Sequence, residues 1–73
     1  MDELLKEAIE ITIEHGQGSV SLLQRKLVIG YNRAAKLMDT MCKLGVVEEA
    51  RPVQPREVLI NDISEVNFET LND

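Results

Sequence analysis

Four glycines divide the first 45 residues into three segments, and each segment repeats its apolar residues at the spacing of an α-helix. The three segments cover residues 2–14, 21–27 and 31–44. Gly16 and Gly18 interrupt the first pattern, Gly30 gives backbone freedom to the turn before the third, and Gly45 stands where a helix cap is expected. With 73 residues in total, the chain has room for one small domain built on these helices.

The second segment carries its own start signal. Ser21 and Gln24 have the spacing of a capping box, which predicts a short helix from Ser21 to Leu27. The leucines of this segment, Leu22, Leu23 and Leu27, are predicted to form its buried side. Just before it, Ser19 and Val20 are compatible with a short strand.

The chain after Gly45 changes from helical to β-rich patterning. Two short runs, Val46–Glu49 and Glu57–Ile60, are typical of strands, and Pro52 and Pro55 mark a loop between them because proline cannot continue a strand ladder. The order of elements predicts an α+β, mainly α fold, a winged helix-turn-helix of three helices plus a C-terminal β-hairpin wing.

The last residues form a separate acidic tail. We expect residues 1–60 to be the winged-helix domain and residues 61–73 to be the tail. Four apolar residues recur in the tail at irregular spacing: Ile63, Val66, Phe68 and Leu71. This pattern is compatible with a weak docking helix and with a frayed, disordered end, and the sequence does not decide between them.

The formal net charge of −5 conceals an uneven distribution. Residues 1–18 carry five acids and one base, a balance of −4, and residues 61–73 carry four acids and no base, again −4. Residues 19–60 hold seven bases and four acids, which gives +3. Local clustering sets the field near a binding surface, so the acidic total does not argue against a nucleic-acid partner. We expect the acidic ends to point away from the basic region.

Several classes of function lack their sequence signals. The chain has no GxxxxGK[ST] phosphate loop, no Cys/His cluster with metal spacing and no apolar run long enough for a bilayer. His15 is expected to be polar and exposed at a helix end, and Cys42 to be a buried apolar thiol. We therefore expect a small cytoplasmic, non-enzymatic domain with no catalytic residue, metal, cofactor, small-molecule substrate or membrane contact.

The third helix has two distinct faces. Its inner sector is predicted to contain Tyr31, Ala34, Ala35, Leu37, Met38, Met41, Cys42 and Leu44, with Tyr31 packed at the helix start. Its outer stripe contains Asn32, Lys36, Asp39 and Lys43 at helical spacing. In a helix-turn-helix the second helix of the motif lies in the major groove, and Asn, Lys and Asp side chains have hydrogen-bonding groups that match base edges there. A polar stripe is also what any surface helix shows.

At this point the residues resemble a known family. The stretch QRKLVIGYNRAAKLMD, with IGYNRAA at its centre and REVLI further along, is similar to the C-terminal γ domain of the FtsK/SpoIIIE chromosome translocases. The resemblance covers roughly residues 3–60. It implies a winged helix that recognises short, polar, G-rich sequences in double-stranded DNA beside a hexameric ATP-driven motor, with neighbouring copies side by side. It also implies contact with a Xer-type tyrosine recombinase in one branch. The full-length proteins are often anchored in the inner membrane by a separate N-terminal region.

The resemblance assigns roles to individual positions. Asn32, Lys36 and Asp39 match the base-reading positions of the family. Arg25, Arg33 and Arg56 match basic positions of the family, and with Lys26, which is expected to brace the DNA backbone beside Arg25, they form the predicted electrostatic support. Lys36 stands where arginine is common and Asp39 where glutamate is common, so the preferred DNA sequence is the property these departures affect most.

Two other interpretations remain open from the sequence. A winged helix can serve purely as a protein-interaction module, which the acidic first helix and tail favour. A stand-alone transcription regulator would require a dimer interface, which the first helix and the tail could provide.

Overall fold

A computed structural model describes residues 1–49 and 56–72. The elements in chain order are α1 (Leu5–His15), β1 (Gln17–Gly18), α2 (Val20–Leu27), α3 (Tyr31–Lys43), β2 (Arg56–Glu57) and two 3₁₀ helices, η1 (Ile63–Glu65) and η2 (Phe68–Asn72). Three helices with a small antiparallel sheet confirm the predicted winged helix-turn-helix fold. The predicted loop prolines, Pro52 and Pro55, lie outside the described residues.

The first helix starts later than its sequence pattern indicates. Residues 2–4 form a turn, and α1 begins at Leu5. The Asp2 carboxylate accepts a hydrogen bond from the Leu4 N–H (2.9 Å), and the Asp2 carbonyl accepts one from the Leu5 N–H (3.0 Å). These bonds satisfy amides that the helix itself leaves unpaired, so Asp2 stands before the helix and not within it.

The start of α2 differs from the predicted capping box. Ser19, not Ser21, is the N-cap: its backbone is extended and its Oγ accepts a hydrogen bond from the Leu22 N–H (3.2 Å). The helix therefore begins at Val20, and the predicted strand at Ser19 and Val20 is wrong. Ser19 is the cap because its hydroxyl satisfies an amide of the first turn and Val20, the next residue, then packs against the core.

The ends of α2 and α3 use the same backbone motif with different residues. After α3, Gly45 has a φ of 78°, the Gly45 N–H donates to the Cys42 carbonyl (3.1 Å) and the Val46 N–H donates to the Met41 carbonyl (2.9 Å), which confirms the predicted cap. The helix ends at Lys43, one residue before the predicted Leu44. After α2, the equivalent left-handed position is occupied by Val28, with a φ of 53°.

The turn predicted around Gly30 is present between α2 and α3, but its left-handed residue is Val28 and not Gly30. Gly30 has a φ of −74° and a ψ of 167°, an extended conformation open to any residue, and it is the N-cap of α3. The helix α2 ends immediately before Val28, so the reversal of the chain occurs there, and two residues further on Gly30 has only to begin the next helix.

In the wing, residues 46–48 pair in the antiparallel direction with residues 57–59. Val47 pairs with Val58, the Glu48 N–H donates to the Glu57 carbonyl (3.0 Å) and the Leu59 N–H donates to the Val46 carbonyl (2.8 Å), which confirms pairing between the two predicted strand regions. The other edge of β2 pairs with β1, in the register Gln17 with Glu57 and Gly18 with Arg56. Pairing of residues 17 and 18 was not predicted.

Gly18 is the point of closest packing in this sheet. A Cβ at this position would lie 3.0 Å from the Arg56 Cβ, 3.1 Å from the Val47 Cγ1 and 3.2 Å from the Met38 Sδ. The absence of a side chain here lets β1 pack closely against Arg56 and Val47 of the wing and against Met38 of α3.

The core lies between the three helices and the base of the wing. Its fully buried side chains are Leu5, Ala8, Ile9, Leu23, Ala34, Leu37, Met38, Met41, Val46 and Val47. Residues 61–72 lie against it: Ile63, Val66, Phe68 and Leu71 are half-buried on this core, and the Lys6 ammonium lies 5.4 Å from the centre of the Phe68 ring. A capping box starts η1, because Asp62 accepts from the Ser64 N–H while Glu65 accepts from the Asp62 N–H.

Candidate nucleic-acid interface

The outer stripe of α3 is present as predicted. Asn32, Lys36, Asp39 and Lys43 are exposed, while Ala34, Leu37, Met38 and Met41 are buried on the opposite side of the helix. The helix packs mainly against α2, as a recognition helix packs in a helix-turn-helix. The predicted reading residues Asn32, Lys36 and Asp39 therefore share one open face.

One inner-face prediction is wrong. Tyr31 was expected to pack at the start of α3, but its side chain is 62% exposed. The helix begins at Tyr31, so no preceding turn covers its side chain, and the buried stripe starts only at Ala34. Tyr31 therefore lies on the surface beside Asn32 and not in the core.

The last turn of α2 adds two cations to this side of the motif. Arg25 and Lys26 are exposed, and neither has an ion-pair partner within the part of the chain that the structure describes. Cations also suit the C-terminal end of a helix, where the backbone carbonyls carry partial negative charge. Both side chains keep their positive charge available for a phosphate.

Arg33, by contrast, is engaged by the N-terminal acidic segment. Its Nε lies 2.9 Å from Asp2 Oδ2 and its Nη2 lies 2.8 Å from Asp2 Oδ1, a two-point ion pair between residues 31 positions apart. The Arg33 hydrogen bond, assisted by the Leu4 N–H, lowers the pKa of Asp2 from 3.8 to about 2. The prediction that the acidic ends point away from the basic region is therefore wrong for Asp2.

Arg56 is also paired. Its Nη2 lies 3.7 Å from Asp39 Oδ1, and its side chain is only 17% exposed against 69% for Asp39. The β1–β2 register and the close packing at Gly18 hold Arg56 over the middle of α3. The structure thus brings together one predicted support residue and one predicted reading residue, at the edge of a shallow depression that Cys42, Lys43 and Glu49 also line.

A family model described as the FtsK gamma domain matches residues 1–61. The chain belongs to this family. The match contains all three helices and β2, and it ends where the 3₁₀ helices of the tail begin.

Curated relatives of the gamma domain are DNA translocases. The chain is 55% identical over 60 residues to DNA translocase FtsK of Clostridium tetani, and the aligned segment covers 82% of this chain and 8% of that relative. It is 48% identical over 66 residues to DNA translocase SftA of Bacillus subtilis, covering 90% of this chain and 7% of the relative. DNA translocase SpoIIIE of Bacillus subtilis is 48% identical over 60 residues, covering 82% and 8%. The gamma domain thus spans under a tenth of the length of the relatives it matches.

Sequence reasoning about this gamma domain missed two features of the interface. The Asp2–Arg33 pair links residues at opposite ends of the helical region, and no local pattern signals it. The left-handed backbone at Val28 was not predicted, because the backbone freedom of the turn was assigned to Gly30, two residues further on. The sequence carries no signal for it, because a β-branched residue rarely adopts the left-handed conformation.

The other candidate groups lie outside this face. His15 is exposed at the end of α1, as predicted, and with Ile11, Glu14, Leu22 and Lys26 it lines an open cleft of about 290 Å³ between α1 and α2. Cys42 is half-buried and not fully buried as expected. Within residues 1–49 and 56–72 no group of three His, Cys, Asp or Glu side chains is placed to hold a metal, and no helix has the length and apolar content to cross a membrane.

Proposed function

We propose that this domain binds double-stranded DNA in a sequence-specific manner and so orients a chromosome translocase, by reading short, polar, G-rich sequences. The observation that carries the proposal is the open stripe of Asn32, Lys36 and Asp39 on α3, next to a wing that places Arg56 beside Asp39. Asn can pair with adenine through two hydrogen bonds, Lys can donate to guanine O6 or N7, and Asp can accept from cytosine N4. The DNA-translocase names of the relatives support the same proposal.

The binding unit in this proposal is residues 1–60, with residues 61–73 as an appended tail. The domain is not catalytic and needs no cofactor: the motor belongs to other parts of a longer protein, whose hexamer supplies neighbouring copies of the domain. Side-by-side copies extend the few base pairs that one small domain can cover. The domain acts on chromosomal DNA in the cytoplasm.

The support residues divide into two classes in this proposal. Arg25 and Lys26 approach phosphate directly, while Arg33 and Arg56 must first leave Asp2 and Asp39 or share their charge with them. If all four cations contact phosphate, log K falls with log salt at a slope of about −3.6. If the two paired cations keep their carboxylate partners, the slope is about −1.8.

Fluorescence anisotropy tests the proposal. A G-rich duplex selected from a random pool and a scrambled duplex are titrated with the domain at two salt concentrations. We expect tighter binding of the selected duplex, and binding that weakens as salt rises. Asn32→Ala and Lys36→Ala should each reduce the preference by ~1–3 kcal/mol per lost base contact. Arg25→Ala is the matched control, because it should weaken both duplexes equally. Absence of binding, or binding insensitive to salt, would sink the proposal.

A protein partner is the second candidate, and the open cleft between α1 and α2 favours it. The cleft has an apolar floor of Ile11 and Leu22 and a charged rim of Glu14 and Lys26, which suits an apolar side chain flanked by charges. A Xer-type tyrosine recombinase is the partner that the family resemblance implies. NMR titration with such a recombinase decides the matter: shifts confined to α1 and α2 support this candidate, and an unchanged spectrum contradicts it.

A further inference from the structure

In the turn between α2 and α3, Val28 occupies a left-handed position that favours glycine, whereas Gly30 occupies a position whose backbone does not require glycine. Val28 takes the left-handed position that ends α2, with a φ of 53° and a ψ of 56°. This conformation is unfavourable for a β-branched side chain, and glycine is the usual occupant. Gly30 has an ordinary extended backbone, and an added Cβ there would meet nothing within 4 Å.

Gly30 also forgoes a stabilising side chain. It is the N-cap of a 13-residue helix and provides no side-chain hydrogen bond, whereas Ser, Asn or Asp at this position would cap the first turn. Contacts within the protein therefore explain neither the valine at position 28 nor the glycine at position 30. Two neighbouring positions that both depart from what stability favours point to a surface outside the fold.

The same turn exposes apolar side chains. Val28 is 87% exposed and Tyr31 is 62% exposed, and they lie on either side of Gly30. We call Val28, Gly30 and Tyr31 the turn surface. Along the chain it lies between the cations Arg25 and Lys26 of α2 and Asn32, the first predicted reading residue of α3, so it joins the two segments that are proposed to contact DNA.

We propose that the turn surface packs against the sugar-phosphate backbone of the DNA strand that borders the groove. Gly30 lets the strand approach the protein backbone closely, Val28 covers apolar deoxyribose carbons, and the Tyr31 hydroxyl donates to a phosphate oxygen. The flanking cations favour DNA over an apolar protein partner. This proposal rests on the proposed DNA binding and adds a contact that sets affinity and register without reading bases.

Two variants separate this contact from a role in folding. Val28→Asn replaces the apolar side chain by one that tolerates the left-handed conformation, and Gly30→Ser adds a helix cap. Each should leave Tm unchanged or raise it by several degrees. Each should also weaken binding about 3- to 10-fold, as expected for losing a partly buried apolar contact. The loss should be equal for the selected and the scrambled duplex, and the salt slope should not change because no charge is removed.

Gly16→Asn is the matched control, because Gly16 occupies the left-handed position at the end of α1 and is exposed away from this turn. It should leave DNA affinity unchanged. The inference is overturned if Val28→Asn and Gly30→Ser bind as tightly as the wild type, if their loss of binding accompanies a fall in Tm, or if the loss affects only the selected duplex. If the wild type binds neither duplex, the proposed function and this inference fail together. If the wild type binds and Asn32→Ala alone weakens it, only this inference fails.

Discussion

The ion pair between Asp2 and Arg33 joins the segment before α1 to α3, and Asp2→Asn tests what it contributes. Asparagine keeps the shape of the side chain and its oxygen can still accept from the Leu4 N–H, so the change removes mainly the charge that Arg33 contacts. A fully expressed shift of the Asp2 pKa from 3.8 to about 2 corresponds to about 2.4 kcal/mol. Because the two side chains are 27% and 45% exposed, solvent screens the pair, and we expect a loss of about 1 kcal/mol of unfolding free energy.

The pH dependence of this loss is its distinguishing feature. The pKa of Asp2 is lower in the folded protein than in the unfolded chain, so its contribution is complete above about 3.8 and is lost as pH falls through about 2. Urea unfolding followed by circular dichroism at several pH values gives the difference in unfolding free energy between wild type and Asp2→Asn. At neutral pH the lower stability should reduce Tm by about 4–8 °C. The difference should shrink toward zero near pH 2, although other carboxylates destabilise both proteins there.

Glu3→Gln is the control, because it removes the same charge from an exposed neighbour that makes no hydrogen bond to Arg33 among the described residues. An equal loss in Glu3→Gln would mean that net charge and not the pair is responsible. A difference between wild type and Asp2→Asn that persists unchanged at the lowest pH would also refute the reasoning, because a protonated Asp2 cannot hold Arg33 as an ion pair.

Three further predictions concern single side chains. Gly18→Ala should lower the unfolding free energy by about 1–3 kcal/mol, measured by urea unfolding, because the new methyl group would lie 3.0 Å from the Arg56 Cβ. Gly30→Ser is the control and should not lower it, because Gly30 has a negative φ and a Cβ there would meet nothing within 4 Å. Thr12→Val should raise Tm and increase the unfolding free energy by about 1 kcal/mol, because the buried Thr12 Oγ1 has no hydrogen-bond partner among the described residues. A lower Tm would show that the hydroxyl does have a partner. Arg56→Gln should reduce sequence preference in the anisotropy assay more than Arg25→Ala does, because of these two arginines only Arg56 contacts a predicted reading residue. If the two changes weaken both duplexes equally, Arg56 acts only as a phosphate contact.

The helices and the packing of the core could be predicted from sequence because both follow from local spacing. Apolar periodicity placed Leu23, Leu37 and Met41 in the core, where the structure has them. The start of α2 was less predictable, because Ser19 and Ser21 both offer a capping hydroxyl. The choice of Ser19 depends on the packing of Val20 against the core, which the sequence does not show. The turn between α2 and α3 was predicted, but its left-handed residue was not, because glycine tolerates a left-handed backbone without requiring one and the left-handed position is Val28.

The candidate site shows a sharper limit on prediction. Exposure of Asn32, Lys36 and Asp39 follows from helix periodicity, but pairing of charges does not, because Asp2 and Arg33 are brought together only by the packing of α1 against α3. The same is true of Arg56 and Asp39, which lie in the wing and in α3 and meet only in the folded chain. Counting basic residues in residues 19–60 therefore overstates the positive charge available to a partner.

These two pairs have a common consequence for how α3 is held. Arg33 near the start of α3 is held by the segment before α1, and Asp39 in its middle lies against the wing, so α3 is restrained at two points outside its contact with α2. Both pairs are partly exposed and so restrain the helix only weakly, and in the proposed DNA complex each restraint is lost if its arginine leaves the carboxylate for a phosphate. The turn surface between α2 and α3 carries neither restraint. Its residue types at positions 28 and 30 are the ones that folding alone does not favour, so this is the part of the motif where we expect binding and not stability to have determined the sequence.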